Sequence, residues 1–136
     1  MTGRRRPHRG VLFGVTAMPD ATTTLEMLRE AMRRFVAERD WEQFHSPKNL
    51  AMALAVEAAE LMEHFLWVEG DASRAVADDP ARRAQVADEV ADVTILVLAL
   101  CNALGLDLSE ALRDKMARNA VKYPVEKVRG RYRVEE

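Results

Sequence analysis

The chain has 136 residues, of which 49% are hydrophobic and 31% are charged, and its formal net charge is −2. This length and composition predict one globular domain, and the near-neutral charge gives no electrostatic reason to bind nucleic acid. The longest strongly apolar run, residues 93–100, is shorter than the ~20 residues that cross a bilayer, and a single cysteine excludes an internal disulfide. We therefore expect a cytoplasmic protein without a membrane or nucleic-acid partner.

The first 22 residues differ from the rest of the chain, because four arginines precede any acid and Gly and Pro interrupt the segment. A basic arm for an anionic partner and a targeting peptide both fit this composition. A flexible tail, or sequence upstream of a start at Met18, fits it better. We expect a flexible tail over residues 1–22, one all-α domain over residues 23–124 and a C-terminal tail over residues 125–136.

Helix signals begin after this tail. Thr24 is the expected N-cap of a first helix that runs to about residue 39, with apolar residues at helical spacing. Ser46 followed by Pro47 predicts the start of a second helix, which continues to about residue 67. A long polar loop is expected next, up to the pair Asp79-Pro80.

Two more helices follow. The third should span about residues 81–103 and stop at Gly105. Ser109 is the expected cap of the fourth, which should end before Pro124 because proline cannot continue a helix. No strand pattern competes with these helices, so the chain is predicted to be an all-α, four-helix bundle.

The third helix is apolar on nearly all sides over residues 93–104. A surface helix would have one polar face, so this helix must be buried on most sides. Three partner helices are too few to cover it in so small a chain. We therefore expect subunits to associate as a dimer or a tetramer.

Four acids stand out on the second and third helices. They form the pairs Glu57/Glu60 and Glu89/Asp92, and residues three apart share a helix face. The two pairs are equidistant from a midpoint near residue 74, so an antiparallel arrangement would bring all four together. Carboxylates this close repel one another unless a cation lies between them, and Mg²⁺ or Mn²⁺ prefers such oxygen ligands. The pattern predicts a metal site.

Other interpretations of these acids were weighed. One pair alone would be an ordinary helix surface feature, but two inward pairs in register favour a metal. A di-iron bundle would need Glu-x-x-His, whereas His64 lies four residues after Glu60. Glu63 either orients or deprotonates a water near the metal, or faces solvent.

Groups suited to a nucleotide accompany the acids. Lys115, Asn119 and Lys122 share one face of the fourth helix and can hold phosphates, although a solvated face has the same pattern. Trp41 and Trp67 can stack on a base or fill core and interface space. His45 can donate to a base edge or cap the connector before the second helix.

These segments together resemble the MazG-like superfamily of all-α nucleoside triphosphate pyrophosphohydrolases, and most of all its dCTP pyrophosphatase branch. The resemblance covers about residues 25–124. Five segments carry it: R-D-W-E-Q-F-H-S-P-K-N-L at residues 39–50, E-A-A-E-L-M-E at 57–63, the tryptophan at 67, D-E-V-A-D at 88–92, and K-M-A-R-N with K-Y-P at 115–124.

The resemblance implies a Mg²⁺-dependent, dimeric or tetrameric enzyme, with Mn²⁺ as an alternative ion. Such an enzyme cleaves a nucleoside triphosphate between the α- and β-phosphates. The implied metal ligands are Glu57, Glu60, Glu89 and Asp92, and the expected catalytic residues are Glu60, Glu63 and Glu89. The expected substrate contacts are Trp41, His45, Trp67, Lys115, Asn119, Lys122 and Tyr123.

Two positions depart from the pattern of the dCTP pyrophosphatase branch, so the base of the substrate is not determined by the resemblance. Met32 stands where a polar or histidine side chain can approach the base, and Leu96 stands where a tyrosine lines the pocket. The expected substrate is dCTP or a modified dCTP, removed from the nucleotide pool. The alternatives are the same reaction on dUTP or a broader set of triphosphates, or a non-catalytic nucleotide-binding module.

Overall fold

A computed structural model describes residues 19–131, so most of the predicted N-terminal tail and the last five residues lie outside it. Between residues 19 and 131 the chain is helical and contains no strand, which confirms the all-α prediction. The α-helices are α1 (Leu25–Ala37), α2 (Pro47–Glu63), α3 (Gly70–Ser73), α4 (Pro80–Leu104), α5 (Leu108–Lys122) and α6 (Val125–Val128).

The first two long helices begin where the sequence predicts. Thr24 Oγ1 accepts a hydrogen bond from the Met27 amide at 3.1 Å, and Ser46 Oγ accepts one from the Asn49 amide at 3.2 Å. The C-terminal ends come earlier than predicted, at Ala37 and Glu63. Residues 64–67 form turns instead of the last turn of α2.

The segment predicted to be a long polar loop is in fact mostly helical turns. The one-turn helix α3 is followed by a 3₁₀ helix over Arg74–Asp78, in which Val76 is buried. Asp79 Oδ1 then accepts hydrogen bonds from the amides of Ala81 and Arg82 at 3.0 and 3.1 Å. One apolar anchor and one helix cap therefore fix the path of the chain into α4.

Glycine and an acid define the junction between α4 and α5. Gly105 has φ +64°, the left-handed conformation expected of a glycine that ends a helix. The prediction that Ser109 caps α5 is wrong. The cap is Asp107, whose Oδ1 accepts a hydrogen bond from the Glu110 amide at 2.9 Å. Ser109 is the second residue of the helix, where its hydroxyl is no longer at the capping position.

The chain divides into two compact units, with the division between Leu104 and Gly105. In the first unit α4 packs against both α1 and α2. Its buried apolar side chains are Ala31, Val36, Leu50, Val76, Leu98, Ala99 and Cys101. The apolar stretch of α4 is less buried than predicted, because Ile95 and Leu104 are exposed in the single chain. The domain boundaries and the oligomer remain predictions.

None of the helices between residues 19 and 131 is by itself long and apolar enough to cross a membrane. Only α4 and α5 taken together, across the break between them, have the length and composition to do so.

Candidate metal centre

The acid-bearing helices α2 and α4 run in opposite directions along each other. The end of α2 lies beside the start of α4, where an Arg82 guanidinium nitrogen lies 3.5 Å from the His64 carbonyl oxygen to which it donates. The two helices also pack closely along their lengths. This is the antiparallel arrangement that the spacing of the acids requires.

Three of the four predicted ligands come together. One carboxylate oxygen from each of Glu57, Glu60 and Glu89 lies within 4.8 Å of the other two. Glu57 and Glu89 are half-buried between the helices, whereas Glu60 is exposed. The cluster therefore has two half-buried carboxylates and one that is exposed to solvent. We call these three residues the carboxylate cluster.

Asp92 lies beside the carboxylate cluster but outside it. Its side chain is exposed, and its negative charge still raises the pKa of Glu57. The largest cause of that raised pKa is the desolvation of Glu57, followed by the charges of Glu60, Asp92 and Glu89. All four acids thus share one electrostatic environment, which favours the protonated form of Glu57 more strongly than water does.

The acids of this region have no lysine or arginine partner within the described part of the first unit. No lysine or arginine between residues 19 and 104 forms an ion pair with Glu57, Glu60, Glu89 or Asp92. In addition, Glu89 Oε2 is buried and has no hydrogen-bond partner in the described chain. An uncompensated, desolvated carboxylate oxygen is costly. The donor set therefore fits a hard divalent cation, which would supply the missing positive charge.

A histidine that sequence reasoning set aside lies at the edge of the cluster. His64 Nε2 is 3.7 Å from Glu89 Oε1. The signal for it was present in the sequence, because residues 57, 60 and 64 are spaced to share one helix face.

Glu63, a predicted catalytic residue, is the last residue of α2 and is exposed. It does not belong to the carboxylate cluster. On the helix it is rotated about 60° from Glu60, away from α4. A role for Glu63 in catalysis remains a prediction.

A cavity of about 590 Å³ lies in the first unit, between α1, the connector before α2 and the C-terminal part of α4. Two residues that the sequence associates with the base, Met32 and His45, line it. The Trp41 ring lies 6.5 Å from the His45 ring and packs edge-on against Phe35 at 5.8 Å. Sequence reasoning missed this cavity, because its walls come from three separate elements.

Trp67 lies in the turns that follow α2 and is 95% exposed. An indole this exposed contributes nothing to the packing of the single chain, so its interpretation as core filler does not hold for the first unit. Its predicted contact with a base remains a prediction.

The remaining predicted substrate residues belong to the second unit. Lys115 and Lys122 are exposed on α5, Asn119 is half-buried on the same helix, and Tyr123 follows its end. Lys122 Nζ lies 5.2 Å from the centre of the Tyr123 ring. These side chains form one polar, cationic face of α5, and their contact with phosphates remains a prediction.

Sequence reasoning also missed a polar network between α1 and α4. Asn102 Oδ1 accepts hydrogen bonds from Arg29 Nε at 3.0 Å and from Arg33 at 3.1 Å, and its amide donates to the Arg29 carbonyl. Arg33 also pairs with Glu26 and Glu30. No periodicity signal identifies such a network, since Asn102 falls within an apolar run.

Comparison with known proteins gives a family match and several relatives of this chain. The family model described as MazG-like matches residues 52–133. The chain is 43% identical over 107 residues to dCTP pyrophosphatase 1 of Mus musculus, which covers 79% of this chain and 63% of the mouse protein. It is 42% identical over 101 residues to dCTP pyrophosphatase 1 of Homo sapiens, with 74% and 59% covered. The chain thus spans less than two thirds of the length of these relatives.

A solved structure gives the same result. The crystal structure of a pyrophosphatase from Archaeoglobus fulgidus matches with a TM-score of 0.68 and 39% identity, covering 74% of this chain and 92% of that one. The family match extends over more than half of the chain and includes Glu57, Glu60, Glu89 and Asp92. Sequence motifs, helical fold and comparisons agree, and the chain belongs to the MazG-like family.

Proposed function

We propose that this protein is a metal-dependent nucleoside triphosphate pyrophosphohydrolase, which cleaves between the α- and β-phosphates to release a nucleoside monophosphate and pyrophosphate. The observation that carries the proposal is the carboxylate cluster, whose oxygens lie within 4.8 Å of one another. Among residues 19–104 it has no lysine or arginine partner, and it includes a buried Glu89 oxygen that has no hydrogen-bond partner. The names of the relatives and of the solved structure support the reaction class.

The residues that would hold the ion are Glu57, Glu60, Glu89 and Asp92, with Mg²⁺ as the expected ion and Mn²⁺ as the alternative. A bound divalent cation would neutralise charge on the phosphate oxygens and lower the pKa of an attacking water. The raised pKa of Glu57 supports this assignment, because desolvation and the neighbouring negative charges of Glu60, Asp92 and Glu89 both disfavour its ionised form, and a bound cation would offset both.

The protein's own groups would orient and activate the water. Glu60 is the exposed member of the cluster, so its carboxylate can accept a hydrogen bond from a water that approaches the α-phosphorus. Glu89 is half-buried and would serve as a ligand of the ion. Glu63, one helical turn beyond Glu60, is the candidate to receive the proton from that water. The bond from the α-phosphorus to the bridging oxygen breaks as the water oxygen attaches.

The cavity lined by Met32 and His45 is the proposed base site. Its volume of about 590 Å³ lies in the range of small-molecule pockets. Ala99, which also lines it, follows Asp92 by seven residues, or about 10 Å along α4. This separation suits a nucleotide whose phosphates reach the acids while its base enters the cavity. The relatives named for dCTP favour dCTP as substrate, with dUTP or a broader set as the alternative.

A second copy of the chain would complete the site. One face of α2 carries the exposed apolar side chains Met52, Val56 and Met62, and Leu66 in the following turns is exposed as well. An exposed apolar face of this kind marks an association surface. A homodimer or homotetramer formed through it would cover α2 and give Trp67 a partner surface. Lys115, Asn119, Lys122 and Tyr123 would then contact the phosphates, either within one chain or across the interface.

The test is a panel of deoxy- and ribonucleoside triphosphates, incubated with the protein and Mg²⁺ or with EDTA. We expect pyrophosphate and monophosphate in equal amounts with Mg²⁺, none with EDTA, and the highest rate with dCTP. The ranking of the bases decides between dCTP, dUTP and a broad specificity. Absence of turnover by a folded, metal-bound protein would contradict the proposal and favour a non-catalytic nucleotide-binding module.

A further inference from the structure

One wall of the cavity is polar, and its side chains are bonded to one another. Glu30, Arg33 and Asn102 all line the cavity. Arg33 Nε donates to Glu30 Oε2 at 2.8 Å, and Arg33 Nη1 donates to Asn102 Oδ1 at 3.1 Å. The guanidinium therefore lies between the glutamate and the asparagine, and the three side chains form a hydrogen-bonded row from α1 to α4. We call this row the polar wall.

The guanidinium at the centre of the polar wall is held in place. Arg33 also donates to Glu26, so three side chains orient it. Asn102 is itself tied to α1, because Arg29 Nε donates to its Oδ1 at 3.0 Å and its amide donates to the Arg29 carbonyl at 3.1 Å. Arg33 is half-buried, whereas Arg34, the other arginine of the cavity, is exposed. Arg33 is thus the pre-oriented cation of the cavity.

These contacts leave a defined set of hydrogen-bonding groups for a ligand. A guanidinium has five N–H groups, and Glu26, Glu30 and Asn102 accept from three of them. Two N–H groups of Arg33 therefore have no partner among residues 19–104. Glu30 accepts from Arg33 through Oε2, so its Oε1 can still accept a hydrogen bond. The polar wall offers an acceptor at Glu30 beside two donors at Arg33.

An acceptor followed by two donors complements one pyrimidine base. Cytosine presents an amino donor at position 4 and acceptors at N3 and O2, and a guanidinium can donate to two adjacent base acceptors at once. Uracil has the carbonyl O4 in place of the amino group and an N–H at position 3. In the same pose its O4 would face the Glu30 carboxylate and its N3–H would face the guanidinium. Both contacts are repulsive, which is a source of specificity against uracil.

We propose that Arg33 is a specificity-determining residue of the base site, which donates to N3 and O2 of a cytosine base while Glu30 accepts from the 4-amino group. Glu26 and Asn102 position the guanidinium for this contact. The inference deepens the proposed function and rests on its assignment of the cavity to the base. It gives the chain its own means of selecting cytosine, on a wall of the cavity that Met32 does not supply.

The ratio of kcat/KM for dCTP to kcat/KM for dUTP tests the role of Arg33. Arg33→Gln replaces a group that only donates by an amide that can also accept from uracil N3–H, so we expect the ratio to fall by roughly tenfold. The matched control is Arg29→Gln. Arg29 donates to the same Asn102 oxygen but does not line the cavity, so this variant should keep the wild-type ratio. An unchanged ratio in Arg33→Gln would overturn the proposal.

A substrate analogue tests the contact with Glu30 and leaves Arg33 in place. The triphosphate of 2-pyrimidinone deoxyriboside lacks the 4-amino group, so its kcat/KM in the wild type should be roughly tenfold below that of dCTP. In Glu30→Ala the two substrates should differ much less. The same difference in both proteins would overturn the acceptor role of Glu30. Cleavage of dCTP and dUTP at a ratio that neither variant changes would overturn the inference and leave the reaction intact, whereas no cleavage of any triphosphate would overturn both.

Discussion

Two positions along α4 carry polar clusters that differ in how their charges are balanced. Near its C-terminal end, Asn102 accepts hydrogen bonds from two arginines, one of which is paired with two glutamates. Nearer the middle of the helix, Glu89 lies beside Glu57 and Glu60, and no lysine or arginine among residues 19–104 pairs with them. The first cluster contains paired charges, whereas the carboxylate cluster has no lysine or arginine partner in that part of the chain.

This difference separates a cluster whose charges are paired within the chain from one whose charges are not. The Asn102 network stabilises the packing of α1 against α4, and its Arg33 and Asn102 also line the cavity. Like charges held together without partners cost free energy in the isolated chain. A fold can keep such a cost when a bound ligand offsets it. Removing a side chain from the carboxylate cluster should therefore reduce metal binding and activity, whereas removing Asn102 should reduce stability.

The largest expected effect is on activity and comes from Glu60→Gln. The substitution keeps the shape of the side chain but removes the charge that faces solvent in the carboxylate cluster. We expect turnover of dCTP to fall by about a hundredfold or more and Mg²⁺ affinity to fall, while helicity measured by circular dichroism is unchanged. The control is Glu38→Gln, an exposed acid near the end of α1. Full activity of Glu60→Gln would refute the assignment of the cluster.

The opposite result is expected at the other end of α4. Asn102→Ala leaves two arginine side chains and the Arg29 carbonyl without their partner. We expect a loss of about 1–3 kcal/mol in the free energy of unfolding, measured in urea, with metal affinity unchanged. Gln85→Ala, at an exposed position of the same helix, serves as the control. If Asn102→Ala instead weakened metal binding, the division between the two clusters would be wrong.

A smaller effect is expected on base preference. Met32 lines the cavity assigned to the base and offers no hydrogen bond. Met32→His restores a polar group there, and one hydrogen bond of about 1 kcal/mol corresponds to roughly a fivefold change. We expect kcat/KM for dCTP relative to dUTP to change by that factor. Met27→His, an exposed position on α1 outside the cavity, should leave the ratio as it is.

The smallest effect is a pH dependence of stability in the metal-free protein. Because the folded state raises the pKa of Glu57 above its usual 4.5, the folded protein binds the proton more tightly than the unfolded chain. Stability from this group is therefore present below pH 4.5 and is lost as the pH rises through the raised pKa. In EDTA, the Tm of the wild type should fall relative to that of Glu57→Gln above pH 4.5. Saturating Mg²⁺ should raise the Tm of the wild type above that of Glu57→Gln, which lacks one ligand. A gap in EDTA that does not change with pH would contradict the cause given for the shift.

The sequence correctly predicted the helix boundaries that depend only on neighbouring residues. Thr24 and Ser46 cap helices because their hydroxyls reach amides three residues on, and Gly105 ends α4 because it adopts positive φ. The cap of α5 was mispredicted because Asp107 and Ser109 are both good caps two residues apart. The end of α2 was mispredicted because the apolar period continues through residue 67 although the chain has already turned.

The site was predictable in pattern but not in detail. The spacing of the acids placed Glu57, Glu60 and Glu89 together, since antiparallel helices preserve such a register. Asp92, which the same spacing assigned to the group, is exposed and lies outside it. The proximity of His64 to Glu89 depends on how the helices cross, which periodicity does not determine.

The most direct test of the metal-dependent cleavage is the fate of oxygen in the reaction. The protein, dCTP and Mg²⁺ are incubated in ¹⁸O-labelled water, and the products are followed by ³¹P NMR. Attack at the α-phosphorus predicts one ¹⁸O atom in dCMP and none in pyrophosphate, with no reaction in EDTA. Label in pyrophosphate or inorganic phosphate, or turnover that persists without a metal, would contradict the assignment of the carboxylate cluster to this reaction.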